Sequence, residues 1–331
     1  DEDVDNFLRY LAKHLKQMQA ARTHRDDGGN VEAGHVTFDA REPRFFLHRH
    51  LGLYDSMYYG NYFAATLSVW KQDGTSKLKE LLAKMGISFQ QARQKFAYLP
   101  PSTRRVLVPR LEQYGPAYGL DQPFRSSFRR SVDGCSDALS NADCAAAVEA
   151  LVEEGGDDER SSFVSAFWRA YDATLARDAF EAVRGVESAV ELQKAVVTQA
   201  VTLVEKKDIT TLKHFRYCYV NASGGNDLFT QPFALRKLAT FLFGVHQHNG
   251  KWLADKARPL VILAERRDTF LVLGFIGGGQ SAKNRFGTAF RLAVDHVDAN
   301  FRHDWFDTSV IEVDRHDVQR FVESLHYLMS R

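Results

Sequence analysis

After Asp208 the chain changes texture. The runs "RYCYV" at Arg216, "LVILAE" at Leu260, "TFLVLGF" at Thr269 and "TSVIEV" at Thr308 are short and rich in β-branched and aromatic residues. Helical patterns separate them, at Pro232 to His246, Ala282 to Phe301 and Asp317 to Met329. Short strands alternating with helices specify a small α/β domain. The residues before Asp208 carry the other period and read as nearly all helix. The fold class is therefore α+β: an N-terminal all-helical region, 1–157, followed by long connecting helices and a small α/β domain, 158–331.

Within the helical region, Phe7, Leu8, Leu11, Leu15 and Met18 fall at helical spacing before the polar stretch "RTHRDDGGNVEAGH" stops the pattern. Helices are expected at Tyr62 to Trp70 and Lys77 to Met85. Gly86 sits where a helix end favours positive φ, and "SFQQ" from Ser88 fits a capping box, so the segment reads as an αα-hairpin. Pro100 and Pro101 are expected to end the next helix. The charged, glycine-bearing "VEEGGDDERSS" from Val152 to Ser162 marks the division. Beyond it, one helix is expected to bury Phe163, Val164, Phe167, Trp168 and Tyr171, and another Val183, Val186, Val190, Val197 and Val204.

Composition narrows the function classes. The 331 residues are 44% hydrophobic and 26% charged, as in a globular protein with a real core. Lys and Arg number 43 against 42 Asp and Glu, a formal charge of +1, so no whole-protein field favours nucleic acid or an anionic membrane. Cys135, Cys144 and Cys218 show no CxxC spacing, which fits a reducing compartment, cytosol or nucleus. No apolar run approaches the roughly 18 residues of a membrane span. The opening "DEDVDNFLRYLAKHL" lacks signal-peptide character, and the absence of an initiating Met suggests a processed chain or a fragment.

The stretch most suggestive of a ligand is Gly277-Gly278-Gly279-Gln280-Ser281-Ala282, which satisfies G-x-G-x-x-A between a strand and a helix, with Glu312 placed like a ribose-binding acid. Too few residues follow Glu312 for a doubly wound fold, and Lys283 does not fit a P-loop, so no nucleotide cofactor is called for. The same parts, Gly277, Gly278, Gly279, Ser281, Lys283 and Arg285, could instead contact a nucleic-acid backbone, because a glycine turn at a helix start exposes N–H donors. The histidines at His48 to His50, His246 to His248 and Asp295 to Asp298 have no metal spacing and read as solvated groups at helix ends; no metal or catalytic set emerges. Arg104, Arg105 and Arg110, with Arg125, Arg129 and Arg130, read as a solvated face with buried Phe124 and Phe128, or as a nucleic-acid contact. Tyr54, Tyr58, Tyr59, Tyr62 and Trp70 crowd one stretch that is either core or a protein-binding face.

The order of residues in "LGLYDSMYYGNYFAATLSVW" and "LKELLAKMGISFQQARQKF", Leu51 to Phe96, resembles the cell division cycle protein forty-five family. "NRFGTAFRLAVD" at Asn284 and "FDTSVIEV" at Phe306 are similar to that family's closing motifs, with the spacing kept. The resemblance runs the length of the chain and corresponds to the family's middle and C-terminal parts. It implies a degenerate relative of DHH phosphoesterases and RecJ nucleases, non-enzymatic and nuclear. Such a protein is a replication scaffold joined to the minichromosome-maintenance helicase ring and the GINS complex. The α/β domain would then be DHHA1-like. Its glycine loop falls by position on Gly277 to Gly279, an intact triplet that departs from the family's degraded loop and leaves open a remnant of single-stranded DNA contact; the aromatic density at Tyr54, Tyr58, Tyr59 and Tyr62 points to a partner-binding face. The rival is the C-terminal half of an active phosphoesterase.

Overall fold

The computed structural model describes residues 6–15, 36–132, 138–154, 160–175, 179–221, 227–248, 258–277, 285–303 and 307–329. They divide into two compact units, Asp1–Glu191 and Leu192–Arg331.

The first unit opens with α1 over residues 6–15 and β1 (Val36–Pro43), then four helices, α2 (Leu53–Tyr58), α3 (Asn61–Leu67), α4 (Gln72–Lys84) and α5 (Phe89–Ala92). The sequence expectations hold at the α4–α5 corner: Gly86 adopts φ +69°, and Ser88 and Gln91 form the capping box. Arg110 of α6 (Pro101–Tyr114) lies over Gly86 and donates to the Met85 carbonyl, so it closes the end of α4. Leu53, Met57, Phe63, Leu78, Leu81 and Leu111 are fully buried between these helices. Two boundaries differ from expectation. α3 stops at Leu67 because Ser68 turns left-handed at φ 55°. Pro101 begins α6 instead of ending a helix, its fixed φ suiting the first helical turn, where no N–H partner exists.

The α+β class is the one expected, but the N-terminal region is not all helical. A three-stranded antiparallel sheet of order β1-β2-β3 joins β1 to β2 (Phe124–Arg130) and β3 (Leu139–Ser140). β2 is the basic stretch "FRSSFRR". Helices α7 (Asn141–Glu153) and α8 (Arg160–Leu175) follow. α8 buries its small face, Ala166, Ala170 and Ala173, the last two packed with Leu151 of α7. The expected inward stripe is outward: Phe163, Val164, Phe167, Trp168 and Tyr171 are 37–56% exposed.

The second unit begins within α9 (Ala179–Lys206) and continues through β4 (Thr210–Thr211), β5 (Arg216–Val220), α10 (Pro232–His248), β6 (Leu260–Glu265) and β7 (Thr269–Phe275). α11 (Phe286–Val297), β8 (Phe301–Arg302), β9 (Val310–Asp314) and α12 (Val318–Leu328) complete it. All four expected strand runs form. The sheet order is β4-β5-β6-β7-β9-β8, parallel only between β5 and β6, where α10 provides the crossover. β6 is buried on both faces. Val261 and Leu263 meet Phe290, Val294, Phe321 and Leu325 of α11 and α12, while α10 packs along the β6–β7 region. α11 ends at Val297, short of the expected Phe301, because Asp298 turns left-handed at φ 48° and Phe301 joins a strand.

Candidate functional site

The tyrosines of the first unit converge on a surface patch. α2 buries Leu53, Ser56 and Met57, which leaves Tyr54 and Tyr58, one turn apart, on its outer side. Their rings stack at 5.9 Å, and Tyr59 meets Tyr58 edge-on at 5.0 Å. The α5 capping box presents Phe89, 42% exposed, whose ring meets Tyr54 edge-on at 5.1 Å. Lys79 Nζ lies 5.2 Å from the Phe89 ring centre and the Arg93 guanidinium 5.9 Å, so cations border the patch. Partial burial raises the phenol pKa of all three tyrosines, with Tyr58, Asp55 and Tyr59 adding to the effect at Tyr54, so the hydroxyls are neutral at physiological pH. Tyr62 stands outside this group: its hydroxyl accepts the Gln122 N–H at 3.0 Å and Arg44 covers its ring.

A second aromatic face lies on α8. Phe167 meets Trp168 edge-on at 5.3 Å, and Tyr171 stacks on Phe167 at 6.4 Å. Sequence reasoning assigned these residues to the core. The signal against that was present in the Ala166, Ala170 and Ala173 spacing, a second apolar stripe that suits the buried side of a helix better than rings do. Lys79, Phe89 and Arg93 were also not singled out.

In the basic stretch at β2 the arginines are partly exposed, and two of them, Arg129 and Arg130, are engaged within the unit. The β1–β2 register sets Thr37 opposite Arg129, and Arg129 pairs with Asp39. Arg130 donates to the Ala173 and Thr174 carbonyls. Beneath lies a buried charge cluster. Glu42 Oε1 accepts from Arg49 at 2.8 Å, Asp143 stands 3.7 Å from the same guanidinium, and Arg129 reaches to 3.9 Å of Glu42. Asp143 also accepts the Ser140 N–H at 3.0 Å in the capping box that starts α7.

His48 is 4% exposed, edge-on to Phe45 and Phe96, and is not the solvated group expected. His246 is likewise buried in α10. Burial foremost, then the Arg49 charge, holds the His48 pKa well below 6.5, so its 4.0 Å approach to Glu42 is not an ion pair. A pKa lower in the folded than in the unfolded chain means that protonation favours unfolding, so this contribution is full above pH 6.5 and is lost as pH falls below it. Between pH 6.5 and 5.5, His48→Phe is expected to remove a loss of up to about 1 kcal/mol from the pH dependence of unfolding. Identical slopes in urea melts of the two proteins would contradict a neutral His48.

At the glycine loop, Gly277 has a packing reason. A methyl built there would overlap the Phe243 ring of α10, and one at Gly274 would overlap Phe286. Arg285 is exposed at the start of α11. Gly278, Gly279, Ser281 and Lys283 lie outside the described residues. Glu312 is engaged within the sheet, accepting from Thr269 at 2.5 Å and standing 3.4 Å from Arg266, and the largely antiparallel sheet is not a dinucleotide fold. Among the described residues no group of three or more His, Cys, Asp or Glu could hold a metal ion. A cleft of about 430 Å³ beside β2 is lined by Arg129, Arg130 and Cys144 with apolar neighbours, and burial raises the Cys144 thiol pKa. Burial also pushes the Cys218 thiol up to about 12, so neither thiol is an activated nucleophile.

A family model described as CDC45 matches residues 1–328. Cell division control protein 45 homolog of Dictyostelium discoideum is 32% identical over 295 residues, covering 87% of this chain and 45% of that protein. Cell division control protein 45 of Saccharomyces cerevisiae is 30% identical over 323 residues, covering 85% of this chain and 49% of that protein. This chain thus spans about half the length of these curated relatives. The crystal structure of CDC45 from Entamoeba histolytica superposes with a TM-score of 0.69 at 22% identity, covering 92% of this chain and 59% of that one, a likeness of fold. Matched along nearly its whole length by the family model and by relatives at this identity, the chain belongs to the CDC45 family.

Proposed function

We propose that the chain is part of a non-enzymatic scaffold subunit of the eukaryotic replicative helicase, acting in DNA replication in the nucleus. Its partners in this reading are the minichromosome-maintenance helicase ring and the GINS complex. The observation that carries it is the pair of aromatic faces, the partly buried Tyr54 and Tyr58 with exposed Phe89 and the exposed rings along α8, on a member of the CDC45 family. Large rings left in water on a well-packed unit favour association with other proteins, because covering them returns the hydrophobic free energy that folding has not gained. The α/β unit is DHHA1-like in this reading. Arg285, with Lys283 beside it in sequence, offers a weak, salt-sensitive contact to single-stranded DNA.

The reading requires catalytic silence. Asp295 and His296, the first acid and imidazole after the glycine loop in sequence, belong to no metal-holding group among the described residues; His296 Nδ1 instead meets Ser324 Oγ at 3.1 Å. Purified chain with Mn²⁺ or Mg²⁺ is expected to release nucleotide from single-stranded DNA no faster than buffer alone. Turnover that follows the protein through purification and disappears in Asp295→Asn or His296→Gln would overturn the scaffold reading in favour of a phosphoesterase.

A further inference from the structure

Three elements of the second unit bring basic groups together, with no carboxylate paired to them among the described residues. Lys213 and His214 lie in the turn between β4 and β5, Arg258 precedes β6, and His326 is in the last turn of α12. The His214 and His326 ring centres are 6.0 Å apart, with His326 edge-on to the buried Phe215. His214 Nε2 and His326 Nδ1 are both out of water and have no hydrogen-bond partner. Neither the Lys213 ammonium nor the Arg258 guanidinium pairs with a carboxylate among the described residues. Arg216, 5% exposed, uses its own guanidinium on the Arg258 carbonyl at 2.9 Å, which fixes the backbone where Arg258 emerges.

Such an arrangement costs stability on its own. Two buried ring nitrogens forgo hydrogen bonds, and like charges gather in one place. The charges that act on His214 are Lys213 from its own turn, His326 from α12 and Arg258 from the β6 side. Desolvation first, and then these three positive groups, lower its pKa. A metal ion would meet the same repulsion and would find only two ligands. An anion relieves every cost at once, accepting from the imidazoles and neutralising the cations. A tetrahedral oxyanion suits the geometry, since oxygens about 2.8 Å from each donor can span two rings separated in this way.

We propose that Lys213, His214, Arg258 and His326 form a binding site for a phosphate-class oxyanion, held between the two imidazoles with Lys213 and Arg258 at its rim. Because the anion is bound best by a protonated His214, whose pKa is lowered in its absence, binding takes up a proton and strengthens as pH falls.

The test is calorimetric titration of the chain with inorganic phosphate, with ionic strength held constant by sodium chloride. At pH 6.0 a saturable one-to-one isotherm is expected, weakening by about tenfold or more at pH 8.0. Phosphate should also raise the melting temperature of the wild type at pH 6.0, and not that of His214→Gln/His326→Gln. Arg258→Met, which leaves the buried rings in place, should weaken binding by about tenfold even if the double variant is too unstable to measure. A fifteen-residue oligothymidylate distinguishes the source of the anion: competition with phosphate identifies a nucleic-acid backbone, and its absence a free or protein-borne phosphate. No saturable heat at pH 6.0, or equal affinity in wild type and Arg258→Met, would overturn the site.

Discussion

Glu42→Ala is expected to cost about 3–5 kcal/mol, a large share of the stability of an ordinary domain. Glu42 is 1% exposed, and its carboxylate is the near partner of an Arg49 guanidinium that is itself 8% exposed. Truncation leaves Arg49 out of water with Asp143 at 3.7 Å, beyond hydrogen-bond distance, and removes the charge that Arg129 approaches from β2. The penalty is mainly that of a buried guanidinium left with only the more distant Asp143 carboxylate, and not the net strength of the Glu42 pair. The two should therefore separate experimentally. Glu42→Met/Arg49→Met, which replaces both groups with apolar side chains of similar length, is expected to recover most of the loss, within about 1–2 kcal/mol of wild type. For a unit of this size the single variant should melt about 10 °C lower. A loss under about 1 kcal/mol, or a double variant no better than the single one, would show that the cluster is hydrated and not a structural pin.

The same cluster shows where the sequence stops being legible. Most of the second unit could be read because its central strands β6, β7 and β9 are buried on both faces and so appear as apolar runs, "LVILAE" and "TFLVLGF" among them. β1 and β2 carry no such mark. β2 alternates Phe with Arg and Ser, which looks like a basic surface until Asp39 and Glu42 are placed opposite it. The pairing that does so joins residues more than 80 positions apart, for example Phe38 with Phe128. Local pattern cannot report a register set by tertiary contact. Ser68 and Asp298, the left-handed residues that end α3 and α11, evade prediction for a related reason: neither is glycine, so nothing local announces the turn.

The candidate site was partly legible. Density of tyrosine drew attention to Tyr54, Tyr58 and Tyr59, and helical spacing is enough to set the first two side by side. Tyr62 shared that density, yet two residues of turn and a new helix carry it to the Gln122 backbone. The α8 face was misjudged because a one-stripe rule was applied to a helix with two. When rings and alanines compete for the inside, the alanines allow closer helix packing, and Phe167 and Trp168 are left in water.

The central claim, that these rings are held for partners and not for the core, rests on an asymmetry between binding and stability. Half-exposed rings contribute modestly to folding, but once desolvated by a partner they become the residues whose loss dominates association. Phe167→Ser/Trp168→Ser should leave the melting temperature within about 3 °C of wild type, because each ring is already about half exposed, and Tyr54→Ala/Tyr58→Ala, whose rings are partly buried at the surface, should lower it by no more than about 5 °C. Each should cost about 2 kcal/mol or more in binding, which is roughly 30-fold in affinity. The direct measurement is the equilibrium affinity of immobilised chain for the purified minichromosome-maintenance ring together with GINS, read for wild type and for both double variants. Saturable binding by wild type and a loss of about 30-fold or more in each folded variant are the expected results. Wild-type chain that does not bind, or variants that bind as tightly as wild type, would contradict the claim.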